Sequence, residues 1–225
     1  MSIEVQSKNV PICGLPYEVH IKNHWQRLYK IPKDRNPTLM NNGNKDYFRN
    51  SGKVFYLCAS NNPQPISLNS VYTIKRNINI SEGQYLFLPI MSILYPEDDR
   101  GERHADEIIE QDQKSIKEEN LNVEFNGNTN YAIKMDYEKL KNFEFDPKVI
   151  GSVDIYYPSD PDKCFYPIIT SNPYHTQTRI GGHYLIVKPS KGKHEIHWKG
   201  ELHSTATNSM DEHYIENMTY NVTVK

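Results

Sequence analysis

The sequence predicts a mainly β protein, an antiparallel β-sandwich of jelly-roll type with one long acidic helix and a short N-terminal helix. The first observation is the run 184–188, in which successive side chains alternate between the two sides of an extended chain. A break at 189–193 then reverses the chain into 195–198, and the last run, 218–224, alternates as well. Together these segments predict two antiparallel strands and a closing strand.

The N-terminal part of the chain predicts fewer regular elements. Residues 1–16 are predicted to be an irregular lead-in or an edge strand, and residues 17–225 a single β-sandwich domain. Residues 17–28 fit either a strand or a short amphipathic helix, and we favour a helix over 19–28. Pro32 is expected to end it, because proline disfavours the α conformation of the residue before it. The run 53–59 is apolar throughout, which predicts a central strand buried on both faces.

The middle of the chain predicts two strands and the long helix. Residues 70–80 alternate and predict a partly exposed strand, while 84–94 is the most apolar stretch. Pro89 lies inside that stretch and predicts a bulge, because proline cannot donate to a strand ladder. Residues 97–120 predict a helix, inserted around 100–119, with acidic residues in its first turns and lysines later, as the helix dipole favours.

Short strands are predicted to follow the helix at intervals of about ten residues, a spacing typical of sandwiches. Asn126-Gly127 predicts a tight hairpin turn between two of them. Further strands are predicted at 143–147, 152–157 and 165–169.

Composition excludes some classes of partner. The net charge of −2 argues against a nucleic-acid binder, which would show a clustered basic face. The chain has neither a transmembrane run nor an N-terminal apolar leader, which predicts no membrane insertion and a cytoplasmic protein, or a secreted one if a leader was removed. The three cysteines lack metal-ligand spacing, and Cys58 is expected to be a small buried apolar residue.

Tyrosine is abundant, with 16 residues against 7 phenylalanines. Tyrosine suits half-buried strands, where the ring packs and the hydroxyl group stays in water. The same composition is typical of recognition surfaces. A β-rich scaffold and a tyrosine-lined binding surface both remain open.

Several segments carry a family resemblance. They are His24-Trp25, Ile31-Pro32, Asn36-Pro37, 52–57, 76–89, 182–189 and 192–196. In these segments and their order, the chain resembles a family of largely uncharacterised, often secreted, bacterial and archaeal β-sandwich proteins. That family ends in a hairpin of the pattern G-x-Y…K-P…G-x-H-x-I. The resemblance implies the fold and supplies no established reaction.

The candidate site residues lie mostly around the start of the long helix. His104, Asp98 and His183 are candidate catalytic acids, bases or metal ligands, provided that they converge in space. Glu97, Asp98 and Asp99 form a candidate Ca²⁺ site, although Asp98 or Asp99 is also suited to capping the helix.

Two other groups are weaker metal candidates. Asp154, Asp160 and Asp162 form a second candidate Ca²⁺ loop. His194 and His197 are predicted to point to opposite faces of an exposed strand, which separates their ring nitrogens.

The function therefore stays open among three classes. The first is a non-enzymatic sandwich that binds a small molecule, a glycan or a protein through loops at one end. The second is an enzyme of hydrolase, lyase or cyclase type, with or without a metal, whose site lies between the acidic helix and the strand ends. The third is an interaction module that uses a tyrosine-rich sheet face.

Overall fold

A computed structural model describes residues 2–29, 52–59, 73–96, 102–130, 133–140, 178–204 and 212–225. The helices are α1 (Tyr17–Tyr29) and α2 (Glu102–Ser115), and a 3₁₀ turn follows at Glu118–Asn120. The strands are β1 (Ile3–Val5), β2 (Val54–Tyr56), β3 (Thr73–Ile80), β4 (Tyr85–Pro96), β5 (Asn122–Phe125), β6 (Asn128–Asn130), β7 (Ile133–Leu140), β8 (Thr178–Pro189), β9 (Gly192–Ser204) and β10 (Glu212–Val224). The mainly β, sandwich-like fold is confirmed.

The strands form two mixed sheets rather than purely antiparallel ones. The first sheet has the order β1–β8–β4–β2, with β7 also paired to β8, and the second has the order β3–β10–β9–β5–β6. The pairs β2/β4 and β3/β10 are parallel. The reason is that the turn after β3 leads into the other sheet, so the neighbour of β3 is a strand from much later in the chain.

The C-terminal segment also departs from the predicted hairpin. Strands β8 and β9 lie in different sheets, so the short turn between them passes from one sheet to the other. Strand β8 already pairs with β4 along one edge and with β1 and β7 along the other, which leaves no edge for β9. Strand β9 pairs with β10 instead, over the full length from Gly192↔Val224 to Ser204↔Glu212.

Local sequence signals match the structure at several points. Strand β3 alternates between exposed and buried side chains. The register between β4 and β8 shifts between Pro89 and Met91, which confirms the predicted bulge. Asn126 and Gly127 both have positive φ, 51° and 79°, as a tight hairpin turn requires.

Other boundaries differ from the prediction. Helix α2 ends at Ser115 rather than at residue 120, because Ile116 pairs with Leu202 of β9 and the Lys117 amide donates to the Glu201 carbonyl at 3.1 Å. The apolar run 53–59 yields only three strand residues, and among the described strands β2 lies at the edge of its sheet rather than in its centre.

The N-terminal lead-in forms a short edge strand. Residues Ile3–Val5 pair antiparallel with β8, which is the edge-strand alternative for the lead-in. The predicted strands at 143–147, 152–157 and 165–169 lie outside the described residues. Neither described helix is long and apolar enough to cross a membrane.

The two sheets share a turn end and an open end. At the turn end, residues 81–84 join β3 to β4 and residues 190–191 join β8 to β9. The Glu82 amide donates to the Lys225 carbonyl at 2.8 Å, and the Ser190 amide donates to the Ser2 carbonyl at 2.9 Å. At the open end, β4, β7 and β9 end and β3, β8 and β10 begin.

One core spans both sheets and α1. Strands β4 and β8 are buried on both faces over most of their length. The largest fully buried side chains are Trp198, Arg179, Tyr17, Tyr184, Tyr220 and Phe87. Aromatic residues therefore fill much of the space between the elements.

Replacing Gly182 with alanine is expected to destabilise the fold by at least about 2 kcal/mol. The reason is that an added Cβ atom would clash with the Met91 carbonyl oxygen, at a φ of +116°. Urea unfolding of the variant and the wild-type protein measures the difference.

Gly83→Ala is the matched control for this variant. Gly83 also has a positive φ, +84°, but no atom lies within 4 Å of an added Cβ atom. We expect a loss of only about 1 kcal/mol from the left-handed backbone alone. Equal losses in the two variants would contradict a role for the close approach of β4 and β8 at Gly182.

Candidate functional site

The candidate site is a group of polar side chains inside the core, on the open-end side, where α1, β2, β3, β9 and β10 meet. It consists of Arg27, Cys58, Arg76, Trp198, Glu216 and Tyr220, and we call it the arginine cluster. Each residue comes from an element whose position follows from the sheet order given above.

Arg76 brings a buried positive charge into this cluster. It follows Ile74 on the inner side of β3, and only 4% of its surface is exposed. Its Nη1 atom donates to the Cys58 carbonyl at 2.7 Å and to the Tyr220 hydroxyl at 2.6 Å. Arg76 therefore connects the second sheet to the chain segment that leaves β2 in the first.

Tyr220 completes this connection from the centre of the second sheet. Its hydroxyl group donates to the Cys58 carbonyl at 2.7 Å and accepts the Cys58 amide hydrogen at 3.2 Å. The ring stacks on Trp198 with 5.4 Å between centroids, and the Arg76 guanidinium lies 5.6 Å from the ring centroid. Burial raises the pKa of Tyr220 to about 12, so the hydroxyl stays protonated at neutral pH.

Arg27 of α1 supplies a second guanidinium group next to β2. Its Nη1 atom donates to the Tyr56 carbonyl at 3.2 Å, and burial lowers its pKa. The two arginines converge on the Cys58 thiol, where burial raises the pKa and both positive charges lower it. Cys58 is only 1% exposed, which confirms the prediction that it is a buried small residue.

Glu216 is the acidic member of the cluster. It lies on the inner side of β10, where its carboxyl group interacts with the Trp198 indole N–H group of the neighbouring strand β9. Burial raises the pKa of this carboxyl group well above 4.5, while Trp198 and Arg76 act in the opposite direction. Burial thus favours a neutral carboxyl group at Glu216.

Helix α1 closes this side of the core with two buried histidines. The His20 ring nitrogens bond to the Tyr56 hydroxyl at 3.0 Å and to the Ile12 carbonyl at 2.9 Å. The His24 ring lies 5.1 Å from the Phe87 ring, and burial lowers the pKa of His24 to about 3. His24 is therefore neutral at any pH where the protein is expected to work.

Of the predicted catalytic residues, the structure describes His104 of α2 and His183 of β8. Asp106 of α2 forms an ion pair of 2.7 Å with the fully buried Arg179, and the Gly182 amide donates to Gln113 at 2.7 Å. These two contacts align α2 and β8 side by side in the same direction. His104 lies before the first contact and His183 beyond the second.

His104 and His183 thus lie on two neighbouring elements, and their catalytic role stays a prediction. His104 is partly buried, and His183 is 3% exposed on the β8 face that it shares with its cross-strand partner Met91. Glu97, Asp98 and Asp99 lie outside the described residues, as do Asp154, Asp160 and Asp162. Their roles stay predictions, and the described residues contain no group of three or more His, Cys, Asp or Glu that could hold a metal ion.

The two strand histidines behave differently from each other. His194 and His197 do point to opposite faces, but His194 is buried rather than exposed. Its ring nitrogens lie 2.7 Å from the Ser190 carbonyl and 3.3 Å from Asn126. His197 lies on the outer face and bonds to Asn217 at 2.8 Å. The hydrogen bonds at the turn end explain why an imidazole is tolerated inside.

Comparisons with known proteins leave the site to be judged from its own geometry. No protein-family model matches the chain, and no curated protein matches it either. The family resemblance noted from the sequence therefore stays a prediction.

The arginine cluster itself was missed from the sequence, although a signal was present. Arg76 shares the parity of Ile74, Ile78 and Ile80, and Glu216 shares the parity of Met218 and Tyr220. A charged residue at an inward position of an alternating strand predicts a buried charge. Arg27 gives no such signal, because it lies beside rather than within the apolar stripe of its helix.

Tyr220→Phe is expected to lower stability by about 1–3 kcal/mol, because it leaves the Cys58 amide and carbonyl groups without the hydroxyl partner. Tyr85→Phe is the matched control, since no hydrogen bond of the Tyr85 hydroxyl exists in the described part of the chain, and it should change stability by less than about 0.5 kcal/mol. Chemical denaturation measures both. Similar small effects would show that the Cys58 contacts are not needed.

Glu216→Gln is expected to stabilise the protein increasingly as the pH rises from 4 to 8. Above pH 4.5 the Glu216 carboxyl releases its proton in the unfolded chain but keeps it in the folded protein. The stability that Glu216 contributes to the wild-type protein is therefore complete below pH 4.5 and is lost as the pH rises. The difference in unfolding free energy between the variant and the wild-type protein should rise by up to about 1.4 kcal/mol per pH unit. Denaturant unfolding at each pH gives the difference between variant and wild type, and a constant difference would contradict a buried neutral carboxyl group.

His24→Phe is the control of opposite sign. The pKa of His24 is lowered from 6.5 to about 3, so the unfolded chain takes up a proton between these values that the folded chain does not. Wild-type stability from this group is therefore complete above pH 6.5 and falls as the pH drops towards 3. His24→Phe should remove this loss of stability between pH 6.5 and pH 3. It should leave unchanged the loss of stability above pH 4.5 that Glu216 causes.

Proposed function

We propose that the protein is a non-enzymatic β-sandwich that binds a small molecule, a glycan or a protein partner at its open end. The observation that carries this proposal is the uneven distribution of buried arginine and glutamate side chains along the strands. Arg76, Arg179 and Glu216 all lie in the open-end half of their strands. In the turn-end half, the inward positions of β3 and β10 are Ile78, Ile80, Val222 and Val224.

Stability alone gives little reason for this distribution. Buried ionic groups in other proteins are often replaced by apolar ones with no loss of stability, since taking a charge out of water is unfavourable. Perturbed ionisable groups instead concentrate at functional sites. A few convergent polar groups within an aromatic surround, such as Tyr220 stacked on Trp198, are typical of ligand sites.

A thermal-shift screen tests this proposal. A ligand at 100 times its Kd should stabilise the protein by about 2.7 kcal/mol, which raises Tm by about 5–10 °C for a chain of this size. The panel covers small metabolite-like acids, amines, neutral molecules and glycans. Hits should weaken in Arg76→Met and persist in Lys75→Met, because Lys75 is exposed on the opposite face of the same strand.

Two results would contradict the proposal. One is a flat response across the whole panel together with no binding partner for the intact chain. The other is a set of hits that Arg76→Met leaves unchanged, because such ligands bind elsewhere on the surface.

An enzyme with its site between α2 and the strand ends is the second candidate. The observation that favours it is the buried Arg179–Asp106 pair, which holds the acidic helix against the start of β8 at the open end. Turnover of ester, glycoside or lactone substrates by purified protein, lost in His104→Ala, would support this candidate over the first.

A further inference from the structure

His194 joins two turns at the turn end of the core. Its ring lies on the inner side of β9, and only 4% of the residue is exposed. Nε2 lies 2.7 Å from the Ser190 carbonyl oxygen in the β8–β9 turn, and Nδ1 lies 3.3 Å from the Asn126 amide nitrogen in the β5–β6 turn. Both ring nitrogens are therefore used, one for each turn.

The Asn126 side chain determines which nitrogen of His194 carries the proton. Its Oδ1 atom accepts the Glu195 amide hydrogen at 2.9 Å, so its NH₂ group is the part that faces His194. An NH₂ group only donates, so Nδ1 accepts, and the ring proton lies on Nε2, where it donates to the Ser190 carbonyl. The neutral imidazole thus satisfies every polar atom around it.

A second proton on His194 conflicts with this arrangement. With both nitrogens protonated, the ring presents a donor at Nδ1 to the donor NH₂ group of Asn126. Turning the Asn126 amide by 180° would place Oδ1 towards His194, but its NH₂ group would then meet the Glu195 amide hydrogen. One hydrogen bond of the β5–β6 turn is lost in either case, while Nε2 keeps its bond to Ser190.

The second sheet offers no compensating carboxylate to a protonated His194. On β9, Lys193 and Glu195 are exposed on the outer face, whereas His194 is buried. On β10, the cross-strand partner is Val222, and Lys225 beyond the strand end is exposed. The two residues of the β5–β6 turn are an asparagine and a glycine.

The charged groups of the neighbouring β8 segment have other contacts. The Lys188 ammonium lies over a tyrosine ring, and Lys191 of the β8–β9 turn lies 3.8 Å from Glu82. Glu4 of β1 is exposed opposite Lys188. Within the described residues, an imidazolium at His194 therefore has no ion-pair partner.

We propose that His194 is a pH-sensitive switch at the turn end, in which one proton releases the β5–β6 turn from β9. A histidine ordinarily changes its charge between about pH 5 and pH 8. Among the described strands, β6 pairs only with β5, so the contacts of Asn126 with His194 and Glu195 hold the tip of this hairpin to β9. The switch lies at the opposite end of the sheets from the proposed binding site and does not depend on it.

Amide hydrogen exchange followed by NMR tests the switch on the intact chain. The reporters are the Glu195 amide, which donates to Asn126 Oδ1, and the Asn126 amide, which donates to the Glu195 carbonyl. The Ser190 amide, which donates to the Ser2 carbonyl, is the internal reference. From about pH 7.5 to about pH 5.5, we expect the protection factors of both reporters to fall at least about tenfold and that of Ser190 to change less than about twofold.

Two glutamine variants identify the responsible histidine. His194→Gln removes the titrating ring, so the protection factors of both reporters should no longer depend on pH. His197→Gln is the matched control, since His197 lies on the outer face of the same strand, 3.9 Å from Glu124. The control should reproduce the wild-type fall to within about twofold.

Asn126→Asp should reverse the sign of the response. The carboxylate oxygens of this variant accept both from the Glu195 amide and from a protonated Nδ1 of His194, so the imidazolium becomes the form that fits. Aspartate also tolerates the φ of 51° at this position. The protection factor of the Glu195 amide should therefore rise as the pH falls, and this comparison decides the matter if His194→Gln does not fold.

Four results would overturn the switch. They are protection factors of both reporters that do not change with pH in the wild-type protein, an equal fall in His194→Gln, an equal fall at Ser190, and a fall rather than a rise in Asn126→Asp. The second result would assign the response to another group, and the third would indicate a general loosening in acid.

Discussion

The hydrogen bonds around the Cys58 peptide group are the constraint on which the rest of the interior depends. Strand β2 pairs with β4 over only three residues, and the Leu57 amide then donates to the Phe87 carbonyl at 2.9 Å. Beyond that point, the second sheet holds the chain through Arg76 and Tyr220. These contacts fix the Tyr220 ring against Trp198 and so determine where the donor groups of the arginine cluster lie.

The buried arginines are stable in the core only while their hydrogen-bond and ion-pair partners are present. A buried guanidinium group without acceptors is strongly unfavourable, and the Cys58 carbonyl and the Tyr220 hydroxyl are what make the position of Arg76 tolerable. The same logic applies on the other face of β8, where Asp106 compensates Arg179. Each of these buried arginines is therefore tolerated because of its hydrogen-bond or ion-pair partners.

Much of the local structure follows from the sequence, because its causes are local. Side-chain alternation locates β3 and β10, Pro89 locates the bulge and Asn126-Gly127 locates the hairpin turn. Local sequence does not predict which strands pair, because pairing joins segments that are far apart in the chain. Nothing near Pro189 indicates that β8 and β9 belong to different sheets, and that choice depends on β4 occupying the edge of β8.

The candidate site was harder to predict than the fold for the same reason. Its members come from α1, β2, β3, β9 and β10, and only the packing of both sheets brings them together. Inward parity marks Arg76 and Glu216 as unusual, but parity does not say that they face one another. The histidines and aspartates around the acidic helix were predicted as site residues because such residue types are common in catalysis. Residue type carries no information about the distance between side chains.

The positions of Ser2 and Lys225 have a practical consequence. Ser2 bonds to Ser190 in one intersheet turn, and Lys225 bonds to Glu82 in the other, so both lie at the turn end. An affinity tag, a fluorophore or a surface linker attached at either one would project away from the cluster. Immobilised protein would then present the open end of the two sheets to solution.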